Sequence, residues 1–513
     1  MALLKVGPII DGEELVEAGG GFHDVTNPAT GDAIAREACC DAFAVNRVVE
    51  SSQRAFASQG WQKLSGAERG QLLLHLADLV EREADNLVEL ELVDTGKPMA
   101  QLRGGEVPLT AAIIRFYGGA ADKVEGAVKP LSAGCFHFTM YEPYGVVAGI
   151  IPWNYPLVNA ALKVAPAVAA GNAIILKPSV ETPLACVAFA KLCRQAGLPP
   201  GIVNVALGSG ADVGEALVKH QAVKKVSFTG STAVGQRIQK LAADQMKMVN
   251  LECGGKNALI VFADADLGRA AQAALYSAFV NAGQLCVSCS RLLVEESVAE
   301  RFEALLAREM DKIQVGDPRS PDTHVGPLIT RAQYEVASRY LAVAPQEGAT
   351  VAKGGGKLRM GPPFTNGFWL QPTLLVGVRP EMTVAQEEIF GPVLSVIRFR
   401  DEADAVAIAN GVRYGLSGSV WTADGARALR MVKALDTGII WVNQMLVGYP
   451  QIPVPPHKMS GTGVELGREG LLAFLKRKSA VIAYDDEAPV GWNLRGRARS
   501  AGTRRRGRRP NLQ

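Results

Sequence analysis

Two short apolar runs, Ala173-Ile174-Ile175-Leu176 and Ile202-Val203-Asn204-Val205, flank a stretch of helical periodicity at residues 182–196. Gly197 and two prolines follow, a stop signal for a helix. Strand, helix and strand in this order read as a βαβ unit, and the alternation recurs. Residues 258–262 and 393–397 are expected as strands, and residues 267–279 and 300–312 as helices. The chain is therefore expected to be α/β with mainly parallel sheets. It has no repeat period and no low-complexity segment before the C-terminal tail, and the Gly/Pro-rich residues 354–363 read as an exposed loop. The uncharged residues 145–162 are about as long as a membrane helix, which needs ~20 residues. Pro152, Asn154, Pro156 and Asn159 interrupt them, so a buried strand, an irregular turn and the start of a helix are expected instead.

A chain of 513 residues exceeds what one core supports, so two to four domains are expected. With 48% hydrophobic and 20% charged residues, it has the composition of a soluble globular protein. The net charge of +3 is unevenly placed, because residues 488–513 hold eight arginines and no acid. The body is mildly acidic and only the tail is basic. Eight cysteines at irregular spacing form neither a disulfide framework nor a zinc pattern, so no metal is expected. They suit a reducing cytoplasm. The first residues lack the apolar core of a secretory signal.

Three separated segments carry chemistry: Pro152-Trp153-Asn154-Tyr155-Pro156, Leu251-Glu252-Cys253-Gly254-Gly255-Lys256 and Asn281-Ala282-Gly283-Gln284-Leu285-Cys286. They offer an amide donor, a carboxylate and a thiol. A thiolate can attack a carbonyl, an amide can stabilise the oxyanion, and a carboxylate can activate the water that releases an acyl-enzyme. Two strand-to-helix turns could approach a phosphate. Gly208-Ser209-Gly210-Ala211-Asp212-Val213-Gly214 is one residue off the usual dinucleotide fingerprint, and Thr229-Gly230-Ser231 follows the strand expected at residues 225–228.

Taken in order, these segments, together with Asn27-Pro28-Ala29-Thr30-Gly31, Lys177-Pro178-Ser179 and Glu387-Glu388-Ile389-Phe390-Gly391-Pro392, resemble the NAD(P)-dependent aldehyde dehydrogenase superfamily over about residues 5 to 485. The resemblance implies a Rossmann-like cofactor domain at residues 1–123 and 144–254, an α/β catalytic domain at 255–452, and a small β oligomerisation arm at 124–143 and 471–486. The resemblance does not explain residues 488–513, a basic tail whose Arg/Gly/Ser composition cannot bury a core and is expected to be disordered. The resemblance also implies Cys286 as nucleophile, Glu252 as general base, Asn154 as oxyanion donor and Glu465 as a proton-relay helper. Pro152, Trp153, Lys177, Ser179, Gly230, Ser231, Glu388 and Phe390 match cofactor positions. Oxidation of an aldehyde to its acid through a thioester follows, by a homodimer or homotetramer acting on a small molecule away from membranes.

The chain departs from the family pattern at several places. Many NAD-preferring members carry Glu three residues after the lysine. Here Val180 stands there and Glu181 next, so either Glu181 substitutes or NADP becomes acceptable beside the expected NAD. Pro455-Pro456 replaces a glycine pair and Val464 an arginine, and two prolines impose a different loop path. Tyr155 and Asn257 resemble betaine-aldehyde and aminoaldehyde dehydrogenases. Yet the positions that would complete an aromatic box are Leu162, Val280 and Val454, which favour an apolar or aromatic aldehyde. Cys289 is expected to be a packing residue, the sharper alternative being a reversible disulfide with Cys286. Transfer of the acyl group to CoA is disfavoured by the presence of Glu252. A non-catalytic scaffold that binds RNA or an anionic surface through its arginine tail is the rival class, and the tail is expected to be merely solvated.

Overall fold

The computed structural model describes residues 3–131 and 134–484. Two compact units are present, one of Met1–Val124 with Glu142–Lys476 and a small one of Glu125–Tyr141 with the chain from Arg477. The large unit contains two extended sheets. The first has eight strands, with Met248–Glu252, Val223–Thr229, Val146–Ile150, Ala173–Lys177 and Val203–Val205 as its parallel centre, in that spatial order. Strands Val146–Ile150 and Ala173–Lys177 are buried throughout, as strands covered by helices on both faces must be.

The strand order reverses between Val146–Ile150 and Val223–Thr229, with Ile150 beside Lys177 on one side and Phe228 on the other. At such a switch point the connections leave in opposite directions, and a crevice opens beyond the carboxyl ends. Residues 151–155, Lys177, Gly230-Ser231 and Glu252 all sit at those ends.

The second sheet has seven strands. Its parallel members run Thr373–Val376, Val393–Phe399, Arg291–Glu295, Ala258–Val261, Ser417–Trp421 and Ile439–Val442. Helices Leu267–Phe279 and Ala299–Met310 pack on it through faces that include Ala270, Ala274, Phe302 and Leu306. Helix Leu184–Gln195 starts two residues later than periodicity suggests, because Pro183 lacks an N–H and serves as its N-cap residue. It stops where Gly197 takes a left-handed φ of 98°. Residues 354–363 contain no helix or strand.

A three-stranded sheet in the order Leu475–Ala483, Cys135–Pro143 and Val128–Lys129 lies mostly in the small unit, and its last two strands pair antiparallel. The arginine-rich residues 488–513 lie outside the described residues. Among the described residues no helix is long and apolar enough to cross a membrane.

Candidate active site

Glu252 is the last residue of its strand, between Thr229 on the parallel neighbour and Gly461 on an antiparallel one. Its backbone is pinned on both sides, since Gly230 N–H donates to the Glu252 carbonyl at 3.0 Å and Cys253 N–H donates to Ser460 at 2.8 Å. The side chain is buried, and Oε1 has no hydrogen-bond partner. Desolvation, with the Glu465 carboxylate nearby, pushes its carboxyl well above the ordinary range, while Lys163 opposes the shift. An orphaned buried carboxyl costs stability, and groups perturbed in this way cluster at functional sites.

Cys286 follows a tight turn at residues 280–283, where Asn281, Ala282 and Gly283 have φ of 50°, 53° and 73°. Three consecutive left-handed residues, two of them not glycine, are strained, and a web of polar contacts holds them. The Asn281 side chain donates to the carbonyls of Asn154 and Gln284, at 3.2 and 3.1 Å. The Gln284 amide donates to the Asn281 carbonyl at 3.0 Å and accepts from Ile329 N–H at 2.9 Å. Asn257 Nδ2 donates to the Cys286 carbonyl at 2.8 Å. The half-buried thiol is pushed up to about 12, first by desolvation and then by the carboxylates of Glu388 and Glu252. It is therefore a neutral thiol that needs a base before it can attack.

Asn154 lies in the turn between strand Val146–Ile150 and helix Pro156–Ala169, and its Nδ2 donates to the Gln284 carbonyl at 3.0 Å. A side-chain amide has two N–H donors, so one remains for an oxyanion. Glu388 closes the group from another segment: Gly255 N–H donates to its Oε1 at 3.0 Å. A Cβ on Gly254 would stand 2.0 Å from Glu388 Oε2, and one on Gly255 would stand 2.5 Å from the Cys286 carbonyl. Only glycines let these segments meet. Burial holds Glu388 up at about 7. Phe390, itself left-handed at φ 55°, meets Trp153 edge to face at 5.3 Å.

Glu465 forms an ion pair with the fully buried Lys163, whose Nζ also donates to Thr229 Oγ1 at 2.7 Å. In the sequence Lys163 marks only the end of an uncharged stretch, because its partner lies 302 residues away. A second buried group also escaped the sequence. Lys97 pairs with Glu91 at 2.9 Å and with Glu106, and its ammonium sits 4.3 Å from the centre of the Tyr155 ring. Gln101 donates to Glu106 at 2.8 Å and to the Tyr155 hydroxyl at 3.3 Å, and accepts from Asn281 N–H at 3.3 Å. The charged cluster thus reaches the strained turn before Cys286. A charged residue after Thr95-Gly96 is a weak signal, and nothing in the sequence ties it to Asn281.

Lys177 is buried at its strand end, with Nζ donating to the Pro178 carbonyl at 2.9 Å, and Ser179 just after it and Pro152 in the turn after strand Val146–Ile150 are half-buried. Ser231 caps helix Thr232–Ala243 by accepting from Val234 N–H at 3.4 Å, leaving that N-terminus exposed behind Gly230. Leu162 lies on helix Pro156–Ala169, Val280 just before the strained turn, and Val454 pairs with Glu465 through backbone hydrogen bonds. Pro455-Pro456 then leads into strand His457–Lys458, with the Pro455 carbonyl so close to Gly438 that no Cβ fits there. Cys289 is buried, with its sulfur 3.7 Å from Met445 Sδ, as a packing residue should be.

Residues 16–480 match the model of the aldehyde dehydrogenase family. The chain belongs to that family. It is 40% identical over 482 residues to aldehyde dehydrogenase family 2 member B4, mitochondrial, from Arabidopsis thaliana, covering 94% of this chain and 88% of the relative. It is 37% identical over 477 residues to the putative aldehyde dehydrogenase DhaS of Bacillus subtilis, covering 93% and 95%. Among crystal structures, PnpE from Pseudomonas sp. WBC-3 in complex with nicotinamide adenine dinucleotide aligns at TM-score 0.92 and 39% identity, covering 96% of this chain and 100% of that one. Betaine aldehyde dehydrogenase from Staphylococcus aureus in complex with NAD+ aligns at TM-score 0.92 and 34% identity, covering 95% and 97%. The α/β architecture expected from the strand–helix alternation is that of aldehyde dehydrogenases, and the protein is an oxidoreductase of this family.

Proposed function

We propose that this aldehyde dehydrogenase oxidises apolar or aromatic aldehydes to carboxylic acids with NAD, using Cys286 as nucleophile, Asn154 as oxyanion donor and Glu252 as general base. The observation that carries the mechanism is the convergence of a neutral thiol, a side-chain amide held at the Gln284 carbonyl, and a buried carboxylate with one unpartnered oxygen. A water relays the Cys286 proton to Glu252, which releases it again before hydrolysis, and the sulfur bonds to the aldehyde carbon. The free N–H of Asn154 and the Cys286 backbone N–H take the resulting oxyanion. Bound NAD supplies the hydride acceptor that turns the thiohemiacetal into a thioester. Glu252, its basicity raised by burial, then removes a proton from water as it attacks the thioester, and the acid leaves. The ion pair of Glu465 and Lys163, with Thr229, offers a route for that proton.

The residues at the switch point suit a dinucleotide. The exposed N-terminus of helix Thr232–Ala243 behind Gly230-Ser231 would take the pyrophosphate, Lys177 with Ser179 the adenosine side, and Glu388 with Phe390, Trp153 and Pro152 the nicotinamide end. Substrate class rests on Tyr155. With the Lys97 ammonium 4.3 Å from its ring centre, this aromatic already holds a cation of the protein's own, and Leu162, Val280 and Val454 add only aliphatic surface. Desolvation of an apolar chain is the binding force that remains. Steady-state kcat/KM should be at least about tenfold higher for hexanal or benzaldehyde than for betaine aldehyde, a difference of about 1.4 kcal/mol. The reverse order would refute the substrate reading. Eight free thiols suit a reducing compartment such as the cytoplasm.

A further inference from the structure

We propose that Lys225 is the outer station of a proton path that starts at Glu252 and runs beneath helix Pro156–Ala169 by way of Thr229, Asn250 and Ser227. This rests on the hydrolytic reading above and deepens it, because the Cys286 proton passed to Glu252 must leave before that carboxylate can take another from water. Strands Val223–Thr229 and Met248–Glu252 are parallel neighbours that pair Lys225 with Met248, Ser227 with Asn250 and Thr229 with Glu252. Residues paired in this way project to one face of the sheet, and so do alternate residues along a strand. Lys225, Ser227, Thr229, Asn250 and Glu252 therefore share a face.

Two contacts identify that face as the one under the helix. Lys163 of the helix donates from Nζ to Thr229 Oγ1 at 2.7 Å. Gly149, which pairs with Ser227 from the third strand, lies beneath the stem of the same lysine, since a Cβ there would stand 3.2 Å from Lys163 Cβ. The opposite face is apolar, with Val226, Phe228 and Leu251 in a hydrophobic core.

On the covered face three enclosed polar atoms have no partner: Ser227 Oγ, Asn250 Nδ2 and Glu252 Oε1. Ser227 is 0% and Asn250 2% exposed. Asn250 is fixed by its other amide atom, Oδ1, which accepts from Val464 N–H at 2.8 Å, beside Glu465 in the chain. Enclosed polar groups in such a row are joined by ordered water, and a hydroxyl can both accept and donate, as proton transfer along the row requires. From Thr229 to Lys225 the row spans roughly 13 Å at about 3.3 Å per residue. Lys225 ends it, with Nζ 5.3 Å from the centre of the Phe474 ring and 5.6 Å from that of the half-buried Tyr144. Met248, paired with Lys225, is 54% exposed, so the row reaches the surface at this end. Burial, with Lys163 nearby and Glu465 opposing, holds the Lys225 amine down at about 8, so it takes up and gives off a proton near neutrality. In the step itself Glu252 loses its proton, the water at Asn250 and Ser227 passes one on as it receives one, and the Lys225 amine becomes an ammonium that returns to the amine by releasing a proton to solvent.

Stopped-flow mixing of the full chain with NAD and hexanal in weakly buffered solution tests the path, following NADH by absorbance and protons by a pH indicator in the first turnover, before the acid leaves. Wild type should release its proton within about twofold of the rate at which NADH forms, as expected of a path that does not limit the chemistry. Lys225→Met should release it at least about tenfold more slowly than NADH forms. Lys225→Arg should show the same lag, because a guanidinium keeps the charge and the ring contacts but does not deprotonate. Wild-type timing in Lys225→Met would overturn the proposal. Wild-type timing in Lys225→Arg would reduce Lys225 to a packed cation and overturn it equally. Should neither variant fold, Ser227→Ala decides: a lag between NADH and proton supports the path, and release in step overturns it. A wild type that forms no NADH would sink the dehydrogenase reading and the path with it, whereas NADH and proton in step in every variant would sink the path alone.

Discussion

Glu252 and Cys286 both carry protons more tightly than their side chains do in water, and that decides how the chemistry should depend on pH. A protonated Glu252 cannot accept the proton of the attacking water. Its carboxyl is raised by burial and by Glu465, so the deprotonated fraction grows as pH climbs above the usual carboxylate range. Turnover limited by thioester hydrolysis should therefore rise with pH over a range where an ordinary glutamate would already be fully ionised. Glu252→Gln should remove that rising limb and lower kcat by roughly 10²–10⁴-fold. The same variant should accumulate an acyl adduct on Cys286, visible by intact mass after mixing with aldehyde and NAD. Wild-type turnover without an adduct would assign the hydrolytic base to another residue.

The turn at residues 280–283 converts backbone strain into the position of the thiol. Gly283 is held at φ 73° with its Cα against the Gly391 carbonyl, and an added Cβ would lie 2.2 Å from that oxygen. Gly283→Ala must displace either the turn or the segment carrying Phe390. It should lower kcat by more than about tenfold and cost about 1–3 kcal/mol of stability, read as a lower midpoint in thermal unfolding. Gln101→Leu probes the same element from outside. It removes the contact to Asn281 N–H and strands Glu106 without one of its donors. Its kcat should fall while the Kd for NAD stays within about twofold, because Gln101 touches the turn and Tyr155 but none of the dinucleotide positions. A change in NAD affinity with unaltered kcat would contradict that placement. The sequence showed Cys286, Glu252 and Asn154 because each lies in a local motif. It could not show Gln101, Lys97 or Lys163, since Asn281 lies 180 residues from Gln101 and Glu465 lies 302 residues from Lys163, and since Lys97 works through a ring packed on it by tertiary structure.

At the scale of the whole molecule, the two sheets face the chemistry with opposite ends. The first offers the carboxyl ends of its parallel strands, whereas Asn257, Cys286 and Phe390 precede the amino ends of strands in the second. Strand–helix alternation made both sheets legible, but which ends carry the site depends on the order of strands, which periodicity does not encode. The small unit is a different matter. Its three-stranded sheet leaves Val128, Phe136, Met140, Val481 and Ile482 exposed, with Ile482 at 50% and Val481 at 62%. A sheet this small with so much exposed apolar surface is marginal alone and prone to pairing. We propose that this sheet joins subunits, as the arm of a dimer or tetramer. Light scattering on the full chain should give a mass of at least two subunits, and the double substitution Val481→Asp, Ile482→Asp should shift it toward one. Because the residues proposed for catalysis and for NAD all lie in the large unit, the monomer so produced should still bind NAD, with a lower unfolding midpoint from the loss of its partner. A double variant that remains fully assembled would place the subunit interface on another surface.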